Sequence, residues 1–350
     1  MLAPVRHILP LTTIRRERLL PRNGKILVRK GQSVSPFDPI GEMRPLPEHF
    51  MLDVAHGLGI APAQADGCIQ CKPGMDLAED DLIAEHSKWA RRIVRSPVNG
   101  RVVLVANGQV LIEIKRQPEE LLAGFPGSVE ELIPDRGAIL ETSGALIQGV
   151  WGNYHMDFGM LRCLASRPDE VLTAANLDVS LRGSVVVGGH CQDGDTLRAA
   201  SELPLKGLVL ASMAVDLIKP AGASQIPILV LEGFGRLPMN SSAYKLLGTN
   251  DKREAAVMAQ PWDLYTGVRP EIIIPLPAPS ETGRPPETAE FREGQMVRLA
   301  RHPGLGKIGV IIGLTGVIKL LNGVRTQAAE IRLENGEISR VPLANLEVLE

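Results

Sequence analysis

Two stretches of this chain repeat one pattern of turns: GQSVSPFDPIGE from Gly31 and GMDLAEDDLIAE from Gly74, an offset of 43 residues. Both fit Gly-x-x-(Val/Leu)-x-x-x-Asp-x-Ile-(Gly/Ala)-Glu, pairing Gly31 with Gly74, Val34 with Leu77, Asp38 with Asp81, Ile40 with Ile83 and Glu42 with Glu85. Glycine supplies a positive φ, aspartate closes the second turn, and the apolar positions point inward. The reading is strand, glycine turn, short strand, acidic turn, strand. Turns this close together leave room only for very short strands, and residues 44–68 read as an insertion between the two copies.

The segment RSPVNGRVVLVANGQVLIEIK from Arg95 carries two Asn-Gly turn signals around apolar runs, as expected for further short strands. Together, KPGMDLAEDDLIAE and VRSPVNGRVVLVANGQVLIEI resemble the biotinyl/lipoyl-type barrel-sandwich hybrid over roughly residues 20–115. In that family a lysine at a tight hairpin carries the cofactor. The nearby lysine here is Lys88, in AEHSKWARRIV, without the family's Met-Lys or Asp-Lys context. The resemblance therefore implies a scaffold module, and no cofactor is expected. CIQC (Cys68–Cys71) is a lone CxxC. A zinc site would need a second pair, so no metal is expected. A core cysteine at 71 and a redox pair both remain open.

Hydrophobic residues make up 44% of the 350-residue chain, enough for real cores, but aromatics are only 3%, so aliphatic side chains must fill them. A net charge of −2 gives no global drive towards nucleic acid or anionic membranes. Four cysteines are too few for a disulfide scaffold. With no long apolar run and no continuous signal-peptide core, the expectation is a cytoplasmic protein without membrane contact.

A different rhythm begins near Leu181. GSVVVGG, KGLVLAS and IPILVLEGFG read as buried strands. They alternate with a helix capped at Asp195 or Thr196, a short helix ended before Pro220, and a helix over PMNSSAYKLLGTNDKREAAVMA entered at Asn240 or Ser241. That alternation implies an α/β domain with a largely parallel sheet. Ligands in such sheets sit beyond the strand carboxyl ends. The candidate ligand-binding residues are therefore Gly188, Gly189, His190, Ser212, Glu232, Gly233 and Gly235. GFG could cradle a phosphate or simply permit a tight turn. HCQDGD places His190, Cys191, Asp193 and Asp195 in one loop, suited to metal binding, acid–base work or a plain N-cap. No catalytic motif is present, and no catalytic residue is assigned.

After a proline-rich linker, GKIGVIIGL and VPLANLEVL resemble KOW/SH3-like small barrels over about the last 60 residues. Residues 290–350 hold eight Lys/Arg against seven Asp/Glu, and Phe291 is their only aromatic. An RNA surface usually needs a basic excess and stacking platforms. The chain as a whole resembles uncharacterised bacterial KOW-containing proteins, which imply no activity to carry over.

The expected fold class is multidomain α+β: a barrel-sandwich-like β module at 1–117, a β-rich extension at 118–180, the α/β domain at 181–274, the linker at 275–289 and an SH3-like (KOW) barrel at 290–350. The expected function is a non-enzymatic scaffold or adaptor that binds other proteins. The alternatives are a small-ligand-binding or enzymatic α/β domain and an RNA- or ribosome-associated factor.

Overall fold

The computed structural model describes residues 2–87, 91–263, 267–277, 285, 288–301, 304–320 and 322–349. Lys88, Pro303 and most of the linker lie outside the described residues. The protein is mostly β, with 49% strand and 14% helix distributed over several sheets. It divides into two compact units, one of residues 1–19, 27–40 and 122–350 and one of residues 20–26 and 41–121. Among the described residues, no helix is long and apolar enough to cross a membrane.

The two repeats adopt matching local geometry. Gly31 and Gly74 have φ of 80° and 89°. Gly31 N donates to Val129 O at 2.7 Å and Gly74 N to Val102 O at 2.7 Å. The Asp38 carboxylate accepts from Ser35 N at 2.8 Å, and Asp81 accepts from Ala78 N at 2.7 Å. Each glycine turn thus needs a receiving strand. Gly127–Ile133 serves the first and Gly100–Ala106 the second. The partner of the first repeat therefore lies beyond residue 117, so residues 1–117 do not hold both repeats with their partners. The break between the two units falls next to Ile40, inside the first repeat. We expect Gly74→Val to destabilise the smaller unit by about 1–3 kcal/mol, because a β-branched residue is strained at this φ. Denaturant unfolding measures it, and an unchanged midpoint would mean that the turn relaxes.

In the smaller unit, the strands His49–Asp53, Gln109–Ile114, Gly100–Ala106 and Asp76–Leu77 form one sheet in that order. The insertion supplies the first of them and two short helices, Val54–Leu58 and Pro62–Ala65. Asp53 caps the first helix, its carboxylate accepting from His56 N at 2.9 Å. Val54, Leu58, Ile83, Val102, Val110 and Ile112 fill the core together with Cys71, which occupies an apolar position.

In the larger unit, Met156–Cys163, Ser184–Cys191, Gly207–Met213 and Ile228–Phe234 pair in parallel. Val185, Val209 and Leu229 pack on one side of these strands, and Val186, Leu208 and Ile228 on the other. Burial of both faces is the usual condition of parallel strands. The parallel group is not a separate sheet. It belongs to a 12-stranded mixed sheet that also includes Glu254–Met258, Glu271–Pro275, Gly137–Gln148 and Ile8–Leu19.

Three local expectations change. The helix entered at Asn240 spans only Ser241–Thr249, and REAAVM continues into the strand Glu254–Met258. Alanine, glutamate and methionine favour helix, but Ala255 to Ala259 are buried throughout, as a central strand requires. The helix Gly194–Glu202 is capped by Asp193, not by Asp195 or Thr196. A short helix at Ile218–Gly222 runs through Pro220, which is tolerated because first-turn N–H groups have no intrahelical partner.

The C-terminal strands join a seven-stranded sheet containing Thr288–Glu290, Leu2–Arg6, Leu346–Leu349, Met296–Leu299, Ile308–Lys319, Arg325–Leu333 and Ile338–Pro342, in that order. The first strand of the chain is thus inserted into the last module. Val5 lies opposite Val348, and Ala3 and Val5 belong to that module's core.

Candidate functional site

Burial at the parallel-strand ends follows from local geometry. Gly188 and Gly189 lie within the strand Ser184–Cys191, beside Val171–Leu172. A Cβ on Gly189 would stand 1.9 Å from Glu170 O, so glycine is required by the neighbouring backbone. His190 and Cys191 also belong to this strand rather than to a loop, and both are buried. Gly233 and Gly235, with φ of 127° and 91°, turn the chain away after Glu232.

His190 and Ser212 are brought together, with Nδ1 2.9 Å from Oγ. Ser212 Oγ also donates to Leu237 O at 2.7 Å and accepts from Leu237 N at 3.1 Å. Ser212 Oγ thus fastens the 235–238 segment to the strand end through Leu237, with His190 beside it. Burial, aided by Arg236, lowers the His190 pKa and favours the neutral ring. Burial and Asp193 push Cys191 up to about 11, and burial and Asp251 push Cys163 up to about 12.

Glu232 is the most heavily engaged of the candidates. Its Oε2 accepts from Arg6 Nη1 at 3.0 Å, and its Oε1 accepts from Arg6 Nη2 at 3.0 Å and from Asn240 N at 3.1 Å. Arg298 Nε lies 3.3 Å from Oε2, and Arg298 Nη2 donates to the Glu232 carbonyl. Arg298 sits opposite Glu347 across the C-terminal sheet, with Nη1 3.5 Å from Oε2. Glu347 Oε1 also meets Arg269 Nη2 at 2.7 Å. All five side chains are buried. Burial alone would raise the Glu232 carboxyl, but Arg6 and then Arg298 hold it below the usual glutamate range.

The sequence reading missed Arg6, Arg269, Arg298 and Glu347. Its available signal was a charge inside an apolar strand, as in Met296–Leu299 (MVRL) and Leu346–Leu349 (LEVL). Alternation places Arg298 and Glu347 on the sheet face opposite Val297 and Val348, where a solvated role would also fit.

A second feature was also missed. A cleft of about 620 Å³ lies along Ile8–Leu19, lined by His7, Thr13, Arg16, Gln148, Arg269 and Glu271 among others. Arg16 grips Glu271 with two bonds, at 2.5 and 2.6 Å, and Gln148 Nε2 donates to the same carboxylate at 3.3 Å. Cys68 Sγ is 3.6 Å from His86 Nδ1, and among the described residues no group of three or more His, Cys, Asp or Glu could hold a metal ion.

No protein-family model matches the chain, and no curated protein matches it.

Proposed function

We propose that the protein is a non-enzymatic adaptor that binds another protein through the four-stranded sheet of its smaller unit. One observation carries this reading. Met51, Leu111 and Leu104 are direct cross-strand neighbours, so they share one face, and Met51 and Leu104 are 58% and 53% exposed. Val103, beside Leu104 at a bulge, is exposed as well. Directly aligned exposed aliphatics form a patch rather than scattered singles, which is the mark of an interaction surface. Asp53, Asp76 and Glu113 flank the stripe, and Arg101 lies directly opposite both Asp76 and Glu113. An aliphatic strip with acidic neighbours suits an apolar segment of a partner protein with basic flanks, and it offers nucleic acid neither stacking platforms nor a basic track.

The resemblance of both ends of the chain to small β modules supports the same reading. The test compares proteins captured from the native host by the wild type and by a Met51→Glu/Leu104→Glu variant. Both positions are exposed, so the variant should keep its circular dichroism and melting temperature. We expect captured proteins to be lost selectively with the variant. Equal capture by both, or capture of RNA that disappears on raising salt, would overturn the proposal.

A further inference from the structure

The strand His49–Asp53 is an edge of the smaller unit's sheet, and Gln109–Ile114 is its neighbour on the inner side. Ile114 N donates to Glu48 O at 2.8 Å, which fixes the alternation along this pair. The backbone groups of Phe50 and Leu52 turn inward to Gln109–Ile114, and those of His49 and Met51, with Asp53 N, turn outward. Among the described residues, no backbone partner meets Met51 on that side. The side chains of His49, Met51 and Asp53 are exposed as well. Native edges are usually blunted by lysine, proline or a bulge, and His49–Asp53 (HFMLD) has none of these. The opposite edge, Asp76–Leu77, is only two residues long.

The exposed face carries rows of side chains that stop at this edge. In one row, Asp76, Arg101, Glu113 and His49 are successive cross-strand neighbours. Its charges alternate as far as Glu113, and the position beyond His49 calls for a carboxylate, because opposite charges directly across strands stabilise and like charges do the reverse. A second row is apolar, with Leu104, Leu111 and Met51. The strand itself supplies both missing neighbours. Rotated about a two-fold axis at Met51, it sets Met51 against Met51 and Asp53 against His49. These are the outward-facing positions, so the same pairing exchanges the Met51 N–H and C=O groups between copies and lets Asp53 N donate to His49 O. Asp53 Oδ1 accepts from His56 N within its own copy, which leaves Oδ2 for the imidazole.

We propose that two copies of this chain associate edge to edge along His49–Asp53, antiparallel about a two-fold axis at Met51. The dimer runs the two four-stranded sheets into one and joins their apolar rows into a continuous stripe. It goes beyond the adaptor reading. Pairing uses the backbone edge of the strand, whereas a protein partner lies on the face, and either holds without the other.

Sedimentation equilibrium of the full chain tests the association, at concentrations up to roughly 1 mM because one short strand is a small interface. A monomer–dimer equilibrium is expected. His49→Glu sets a carboxylate against Asp53 and should weaken the dimer about fivefold or more, since symmetry changes two pairs at once. Met51→Cys tests the register. Directly opposed residues of such a pair have Cα atoms about 5.5 Å apart, within disulfide reach, so oxidation with diamide should give a covalent dimer. Gln109→Cys, exposed on the next strand inward, should give none. Circular dichroism checks that each variant is folded, and wild-type protein oxidised alike accounts for the native thiols. If His49→Glu fails to fold, the cross-link decides. A monomer at every concentration, a dimer unchanged by His49→Glu, or cross-linking of Gln109→Cys as readily as Met51→Cys would overturn the proposal. Because His49→Glu keeps Met51 and Leu104, capture of host proteins by this variant reads the adaptor role apart from the dimer.

Discussion

Glu232→Gln is expected to lower the stability of the larger unit by about 3–5 kcal/mol, the usual result of removing one partner from a buried ion pair. The substitution keeps the shape and an acceptor for Asn240 N, but it leaves Arg6 and Arg298 facing a neutral group. Three buried guanidinium groups would then share Glu347. Denaturant unfolding followed by circular dichroism measures the loss. A ligand-binding glutamate without a structural role would cost little stability, so a change below about 1 kcal/mol would remove the anchoring role. The pH dependence supplies a second readout. The folded-state pKa of Glu232 is depressed, so its stabilising contribution is present above the ordinary glutamate range and is lost as pH falls through that range and below. The wild type should therefore lose more stability on acidification than Glu232→Gln does.

Residues 290–350 expressed alone are expected to be unfolded or only partly folded. The strand Leu2–Arg6 lies between Thr288–Glu290 and Leu346–Leu349, and its absence opens the sheet at Leu346–Leu349. It also removes Ala3 and Val5 from the core. Burying Val5 contributes about 1.5–3 kcal/mol, and Arg298 and Glu347 would lose the buried surroundings that pair them. A module of this size has only a few kcal/mol of stability in hand. An NMR spectrum of residues 288–350 should be collapsed, and joining residues 1–7 to that fragment through a flexible linker should restore at least part of its dispersion. A well-dispersed spectrum from the fragment alone would show that the strand is dispensable.

Features set by neighbouring residues were legible in the sequence. The turns at Gly31 and Gly74 and their closing aspartates depend on positive φ and on a carboxylate three residues from its N–H donor. The strands Gly207–Met213 and Ile228–Phe234 were visible as uninterrupted apolar runs, because a parallel strand buried on both faces can hold little else. The helix start at Asn240 was visible because a side-chain oxygen must accept from Ser242 N. Glu232 stood out as a carboxylate at the end of an apolar strand, although its partner lies 226 positions away at Arg6.

The rest depended on contacts between distant parts of the chain. REAAVM has helix-forming residues, and only its place in the sheet, between Met156–Cys163 and Glu271–Pro275, makes it a strand. The first repeat and its partner strand are nearly a hundred residues apart, and no local pattern links Gly31 to Val129. The insertion of Leu2–Arg6 into the C-terminal sheet brings Arg6 to Glu232, where Arg298 also meets it. A sequence determines which residues can turn, alternate or cap, because those choices are settled within a few bonds. Which buried charges meet, and whether they balance, depends on desolvation and pairing after the chain has closed, and only the tertiary structure decides it.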